Sequence, residues 1–414
     1  MSGPVPGTPS LLRAINDRAA LQALLERGPL TRPEIGTLTG LSKPTASQLL
    51  SRLQEAGLVV LDGIREGLPG RTAEVYRINP AAAYVAALDV TPDRIEAKVA
   101  DITGTIVGEH TLPTPRRPHG ELVDRLDAAL RGANPPDKPR RVVIGVQAAV
   151  DPSTGRLGYA AAKDVPGWQI PDLVPALSAG LGVPVDVENN VNLVALAEQA
   201  HGAAQGHQDF VLLWADEGIG AAIVLGGRMH RGATGGAGEV GYMPTPGAPT
   251  AREAGRYANH GYQALTGGPA VLKLLRSYGV RGADFQHAVA NAVKAAQGKG
   301  QKADDARAGL RDIAARLAVG LAAITSVVDP GLVILTGGIV LSGGETLREL
   351  VEHELHALTI PQPRVRLSNV EGNPVLAGAL DLALHTVRDE VFSSTVAASG
   401  GSPQVAASAP TFSP

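Results

Sequence analysis

The sequence predicts an α/β chain of two similar halves behind a small N-terminal winged helix-turn-helix. Three observations predict it. Residues 10–80 read as helix, short helix, turn, helix and hairpin; from Ala81 the pattern changes to alternating strands and helices; and that alternation falls into two sets. The length of 414 residues fits two or three domains at roughly 150 residues each.

The first helix rests on Leu12, Ile15, Ala19, Leu21, Leu24 and Leu25 at near-helical spacing, stopped by Gly28-Pro29. Thr31 and Glu34 stand at capping-box spacing and open a short helix that closes at Gly40. Ser42 caps a third helix with Pro44 in its first turn, where the missing amide proton does no harm, and Gly57 ends it. Leu49, Leu50 and Leu53 turn inward. LVVLDG and AEVYRIN then form two strands around the turn-rich REGLPGR. Beyond Ala81, YVAALDV, RIEAKVAD and TIVGEHTL are strands, followed by a helix near residues 121–131 and the strand RVVIGVQ. The second set comprises VPVDV, a helix from about Val191, DFVLLWA, GAAIVLGG and, after a long helical stretch, LVILTGG. Helices near residues 304–328 and 375–391 complete the count.

Composition narrows the function. Glycine and proline make up about a fifth of the chain, which describes a folded protein with many turns. The formal charge of −3 excludes a basic protein that coats polyanions, so any nucleic-acid contact is local. Residues 10–80 carry nine basic against seven acidic side chains, whereas the remainder carries 28 against 33. The absence of cysteine excludes disulfides, thiolate zinc sites, iron–sulfur clusters and a Cys nucleophile. MSGPVPGTPS lacks the pattern of a signal peptide and no apolar run approaches a membrane span, so the expected location is cytoplasmic, without membrane contact.

The third helix of the head is its reader. Ser42, Lys43, Thr45, Ser47, Gln48, Ser51 and Arg52 lie away from the leucine face and can approach base edges and phosphates in a major groove. Gly70 and Arg71 at the hairpin tip can enter the adjacent minor groove. A solvated face on an interaction module is the alternative. The expected partner is double-stranded DNA carrying an inverted-repeat operator.

Residues 10–80, together with VDPSTGRL, PGWQIPDL, VPVDVENNVNLVALAE, HRGATGGAGEVGYMP and PGLVILTGGIVLSGG, resemble the ROK family of sugar-responsive repressors and sugar kinases. The resemblance implies a two-lobed, actin-like and ribonuclease-H-like domain behind the head, assembled as a homodimer or higher oligomer. The implied organisation is a disordered tail at 1–9, the head at 10–80, a first lobe at 81–187 to which 376–392 returns, a second lobe at 188–375, and a disordered tail at 393–414.

Against the kinases of that family, three elements are altered. The first phosphate loop, DxGGT, aligns with Asp89-Val90-Thr91-Pro92-Asp93, which has lost both glycines and, at Pro92, an amide donor. The second, GTGIG, aligns with Asp216-Glu217-Gly218-Ile219-Gly220, where two carboxylates oppose phosphate. The END motif, whose Asp is the general base, is Glu188-Asn189-Asn190, and an amide has no useful basicity. The expectation is therefore no catalysis and no cofactor. Gly337-Gly338 resembles the family's nucleotide-base loop, Gly226-Gly227 reads as a hairpin turn, and the glycines at 232–238 position Glu239. No metal is expected, because the family's zinc cluster needs a His and three Cys, and His353 and His356 at i, i+3 have no third ligand in view.

The resemblance also implies a sugar pocket. Asn189 and Glu239 match positions that hydrogen-bond sugar hydroxyls, Asn190 stands where the catalytic Asp would be, and Asp164 is near a family Asn that touches the sugar. Tyr242 replaces a sugar-contacting His, and Gln263 a sugar-contacting Glu. Tyr242 either stacks on the sugar or fills its place, and Asn189 and Asn190 can alternatively cap the following helix. The leading reading is a regulator of carbohydrate-related genes whose operator affinity responds to a sugar or sugar derivative. Its rivals are a sugar kinase with a fused DNA-binding head and a regulator controlled by a protein partner.

Overall fold

The computed structural model describes residues 9–66, 72–114, 121–158, 167–255 and 258–394. The head is built from α1 (Pro9–Arg27), β1 (Leu30–Thr31), α2 (Arg32–Thr39), α3 (Lys43–Glu55), β2 (Val59–Glu66) and β3 (Thr72–Ile78), with strand order β1-β3-β2. The local signals act as their chemistry dictates. Glu34 accepts from the amide and hydroxyl of Thr31, both at 2.7 Å, Gly40 ends α2 in the left-handed region, and Ser42 accepts from the Thr45 amide at 3.4 Å. Leu21, Leu24, Ile35, Leu49, Leu50 and Leu53 are buried together in the core of the head. The turn between β2 and β3, with the predicted Gly70 and Arg71, lies outside the described residues.

A 3-10 turn (Pro80–Ala82) leads into the first lobe: β4 (Tyr84–Val90), β5 (Arg94–Asp101), β6 (Ile106–Pro113), α4 (Leu122–Gly132), β7 (Arg141–Val146), the hairpin β8 (Ala149–Val150) and β9 (Leu157–Gly158), α5 (Leu173–Leu181) and β10 (Val185–Asn189). After α6 (Asn190–His201) the second lobe begins with β11 (Phe210–Ala215), β12 (Ile219–Leu225) and β13 (Arg228–Met229). A 3-10 turn (Val240–Tyr242), α7 (Ala251–Ala254), α8 (Gly261–Thr266), α9 (Gly268–Ser277), α10 (Phe285–Ala296) and α11 (Gln301–Val328) follow. Then come β14 (Leu332–Thr336), α12 (Gly338–Leu358), β15 (Arg364–Leu367) and α13 (Pro374–Ser394).

The two five-stranded sheets share one topology. Their orders are β10-β7-β4-β5-β6 and β13-β12-β11-β14-β15. In each, three antiparallel strands come first, and two more are then added parallel beside the first of them. Helices α4 and α5 cover the outer face of the first sheet, and α9 to α12 cover that of the second. Between the sheets lie α6 and α13, whose buried side chains join a core continuous with that of the head. The final helix thus returns to the first lobe, packing on β4, β5 and β7.

Three expected boundaries shift. Pro9 already belongs to α1, α13 runs on to Ser394, and the lobe boundary set at 187/188 falls inside β10. Glu188 and Asn189 still pair with β7, in register with Gly145 and Val146, because the parallel ladder continues to the helix cap.

Candidate ligand-binding and DNA-binding sites

The carboxyl ends of β7 and β10 face the β11–β12 turn and the loop after β13 across a cavity of about 380 Å³. Asn189, Asn190, Glu239, Tyr242 and Gln263 all line it, so chain segments far apart in sequence converge as predicted. Asp164 lies outside the described residues. Sequence reasoning missed Gln147 and Trp214 as lining residues; both end strands whose apolar runs gave a fold signal and no site signal.

Asn189 is the N-cap of α6, its Oδ1 accepting from the Val191 amide at 2.8 Å, which leaves its Nδ2 donors for a ligand. Asn190 is buried, and its Nδ2 lies 3.4 Å from Oδ1 of Asp89. The other Asp89 oxygen accepts from Nδ2 of Asn373 at 2.9 Å, and burial pushes the Asp89 carboxyl above the ordinary range. Oδ1 of Asn190 has no hydrogen-bond partner among the described residues and abuts Gly145, where a Cβ would come within 2.7 Å of it. An amide at 190 therefore donates to a buried carboxylate that a second carboxylate would repel. Glu188, also buried, accepts from Arg231 at 2.7 Å, an ion pair that links the first lobe to the loop after β13.

Two glycines of that loop explain how Glu239 reaches the cleft. Gly235 and Gly238 have φ of +77° and +104°, and a Cβ on either would lie 2.0 Å from a backbone oxygen, of Val150 and Ala221 respectively. Only glycine allows so close an approach. The Glu239 carboxyl has no ion-pair partner among the described residues, and burial pushes its pKa up to about 7. Beside it, the Tyr242 ring lies 5.3 Å from that of buried His260, tilted by 48°. Oε1 of Gln263 accepts from the Ile219 amide at 3.4 Å, tying α8 to β12. Backbone bonds from Tyr262 to Met243 and from Gly261 to Pro249, both 2.9 Å, join the described ends of the stretch that follows Tyr242. Among the described residues no three His, Cys, Asp or Glu are grouped to hold a metal. Nε2 of His356 bonds the Pro363 carbonyl at 2.9 Å.

At the two loops that align with the family's phosphate loops, polar groups bond within the chain. Thr91 and Arg94 bond each other across the β4–β5 turn, the Thr91 amide donating to the Arg94 carbonyl at 2.9 Å. In the β11–β12 turn, Asp216 accepts from the Glu217 amide at 2.8 Å through Oδ1 and from the Gly338 amide at 2.6 Å through Oδ2. The Asp216 carboxylate thus sits at the amino end of α12, the positive end of the helix dipole that suits an anion.

On the head, Ser42, Lys43, Thr45, Gln48 and Ser51 are exposed and Ser47 is half-buried, while Ala46, Leu49, Leu50 and Leu53 are buried. One predicted reader also bonds within the head. Arg52 donates to Asp17 of α1 at 2.6 Å, and Asp17 is only 4% exposed. The guanidinium is thus bonded to α1 within the head, an ion pair with a buried carboxylate. Other basic residues of the head are also paired: Arg32 with Glu74, Arg65 with Glu34, Arg77 with Asp62, and Arg18 with Asp389 of α13. Lys43 remains exposed on α3.

Two lobes of one repeated topology, a polar cleft between them and a winged helix-turn-helix in front define a two-lobed, actin-like protein with a DNA-binding type of head. The chain belongs to the ROK family, whose model matches residues 85–386; the MarR family model matches residues 16–66. The chain is 24% identical over 393 residues to a putative xylose repressor of Caldicellulosiruptor sp. (strain Rt8B.4), covering 91% of this chain and 97% of that one. A ROK family transcriptional regulator described as a homologue of the E. coli MLC protein superposes with a TM-score of 0.69 at 18% identity, over 93% of this chain and 99% of that one. A ROK glucokinase from Streptomyces griseus, solved with glucose and AMPPNP, gives 0.57 at 25% identity, over 73% of this chain and 99% of that one.

Proposed function

We propose that the chain is a cytoplasmic transcriptional regulator of carbohydrate-related genes that binds an inverted-repeat operator as a homodimer through α3 and the β2–β3 hairpin. A sugar or sugar derivative in the cleft between the lobes shifts its operator affinity, and the protein transfers no phosphoryl group. The observation that carries this reading is the contrast within one cleft. Its sugar half keeps hydrogen-bonding groups at Asn189, Glu239 and Gln263, whereas in its phosphate half the carboxylate of Asp216 already occupies the amino end of α12. A triphosphate would have to displace that carboxylate and then lie against it.

The fold supplies a route from cleft to head. Helix α6 starts at the cleft with Asn189 as its cap, packs along α13, and holds it through His201 and Asp381 at 2.9 Å. Helix α13 in turn meets α1 of the head through Arg18 and Asp389. Coupling requires the ligand to favour one arrangement of the lobes over another. The Caldicellulosiruptor relative's name places xylose among the first sugars to try. No helix among the described residues is long and apolar enough to cross a membrane. A paired experiment tests the reading: purified full-length protein retards operator fragments captured from its own genome, and it shows no sugar-dependent ATP consumption. Turnover of any sugar, or equal affinity for operator and random DNA, contradicts it.

A further inference from the structure

The ionisable groups that line the cleft share one sign. Glu239 lies at its inner wall, and Asp216 and Glu217 lie at the β11–β12 turn. No Lys, Arg or His stands among the described lining residues. Arg231, outside the lining, is paired with Glu188, and His260 lies against Tyr242, 5.3 Å between ring centres, without itself joining the lining. Each carboxylate differs in its exposure to a ligand. Asp216 is partly neutralised by the amides of Glu217 and Gly338, whereas Glu217 is exposed at the lip and Glu239 has neither cation nor donor among the described residues. The neutral part of the lining is made of amides and aromatic rings: Gln147, Asn189, Gln263, Trp214 and Tyr242. At about 380 Å³ the cavity is near the low end for small-molecule sites and suits a single sugar unit.

We infer that the cleft selects its effector by charge, admitting an uncharged monosaccharide and rejecting sugar phosphates and sugar acids. This rests on the reading of the cleft as a sugar site. Hydroxyl groups satisfy both sides of the lining, donating to Glu239 and accepting from the amides, while the apolar face of a sugar ring packs against an aromatic side chain. An anionic ligand meets only like charge. In a partly buried site, one like charge within about 6 Å lowers affinity by roughly two powers of ten, and a dianion is penalised more. Glu217 and Glu239 are thus the specificity-determining residues, Glu239 by direct contact with ligand hydroxyls and Glu217 through its field at the entrance.

The test is isothermal calorimetry on the full-length protein at pH 8 with matched sets: xylose, glucose and N-acetylglucosamine, each sugar's phosphate ester, and glucuronate. The expected result is that the neutral sugar that binds does so at least 100-fold more tightly than its phosphate. Added salt narrows that gap, because it screens the charge at the lip, and Glu217→Gln narrows it several-fold, chiefly by strengthening the binding of the phosphate ester. A phosphate ester or glucuronate that binds as tightly as its neutral parent, with heat abolished by Glu239→Ala, overturns the charge rule while leaving the sugar site standing. Silence from every compound overturns the sugar site, and the charge rule with it.

Discussion

Replacing Glu239 with Gln keeps the size of the side chain and removes its ability to ionise. In the folded protein its carboxyl titrates at about 7, against 4.5 ordinarily, with burial as the cause. Below pH 4.5 the group is protonated in both folded and unfolded chains, so whatever its burial contributes is fully present. As pH rises from 4.5 to 7 the unfolded chain ionises first, and stability is lost across that window at up to about 1.4 kcal/mol per pH unit. The complete shift corresponds to about 3 kcal/mol, and partial contact with solvent trims this to about 2 kcal/mol. Glu239→Gln should therefore match the wild type at pH 4.5 and exceed its stability by about 2 kcal/mol at pH 8. Urea unfolding followed by tryptophan fluorescence at five pH values between 4.5 and 8.5 measures the gap, since Trp214 lines the same cavity. A gap that does not change with pH would refute the claim that this carboxyl is desolvated and unpaired.

Other substitutions test the remaining parts. Asn190→Asp places a second carboxylate against buried Asp89; thermal melts at pH 7.5 should show a loss of about 1–3 kcal/mol, and a coupled ATP assay should remain silent. Gln48→Ala should weaken operator binding by about 1–3 kcal/mol in anisotropy titrations if it reads a base. Lys43→Ala should weaken binding uniformly across sequences and reduce the salt slope by about one. Arg52→Ala should act on folding as well, lowering stability by about 1–3 kcal/mol because it removes the guanidinium bonded to buried Asp17, and circular dichroism melts separate that loss from a loss of contact with DNA. Asp389→Asn removes the charge that meets Arg18 between α13 and α1 and should reduce the response of operator binding to sugar without changing affinity for the sugar itself.

Much of this architecture was legible in the sequence because its signals are local. Thr31 with Glu34, Ser42 before Lys43-Pro44, and Gly40 each carry their own hydrogen bond or backbone preference, and the head follows from them. The strands of each sheet read as apolar runs, and the meeting of Asn189 with Glu239 followed from family resemblance. What was not legible depends on distant partners. The two-residue strands β1, β8, β9 and β13 are too short to show a period and exist through pairing. The pairing of Arg52 depends on Asp17, 35 positions earlier, and no helical pattern of α3 alone reveals it. Two carboxylates at Asp216-Glu217 are visible in the sequence, but the bond from the Gly338 amide to Asp216, 122 positions away, is not. Gly70, Arg71 and Asp164 lie outside the described residues.

Operator affinity measured with and without sugar, in the wild type and in Glu239→Ala, tests the account most directly. The full-length protein is titrated onto labelled operator at pH 8, alone and with a saturating concentration of whichever neutral sugar binds in calorimetry. The account predicts a shift of at least fivefold in the wild type, equal affinities of the two proteins without sugar, and no shift in Glu239→Ala. An undiminished shift in Glu239→Ala, or saturable sugar binding that leaves the wild-type operator affinity unchanged, would contradict it.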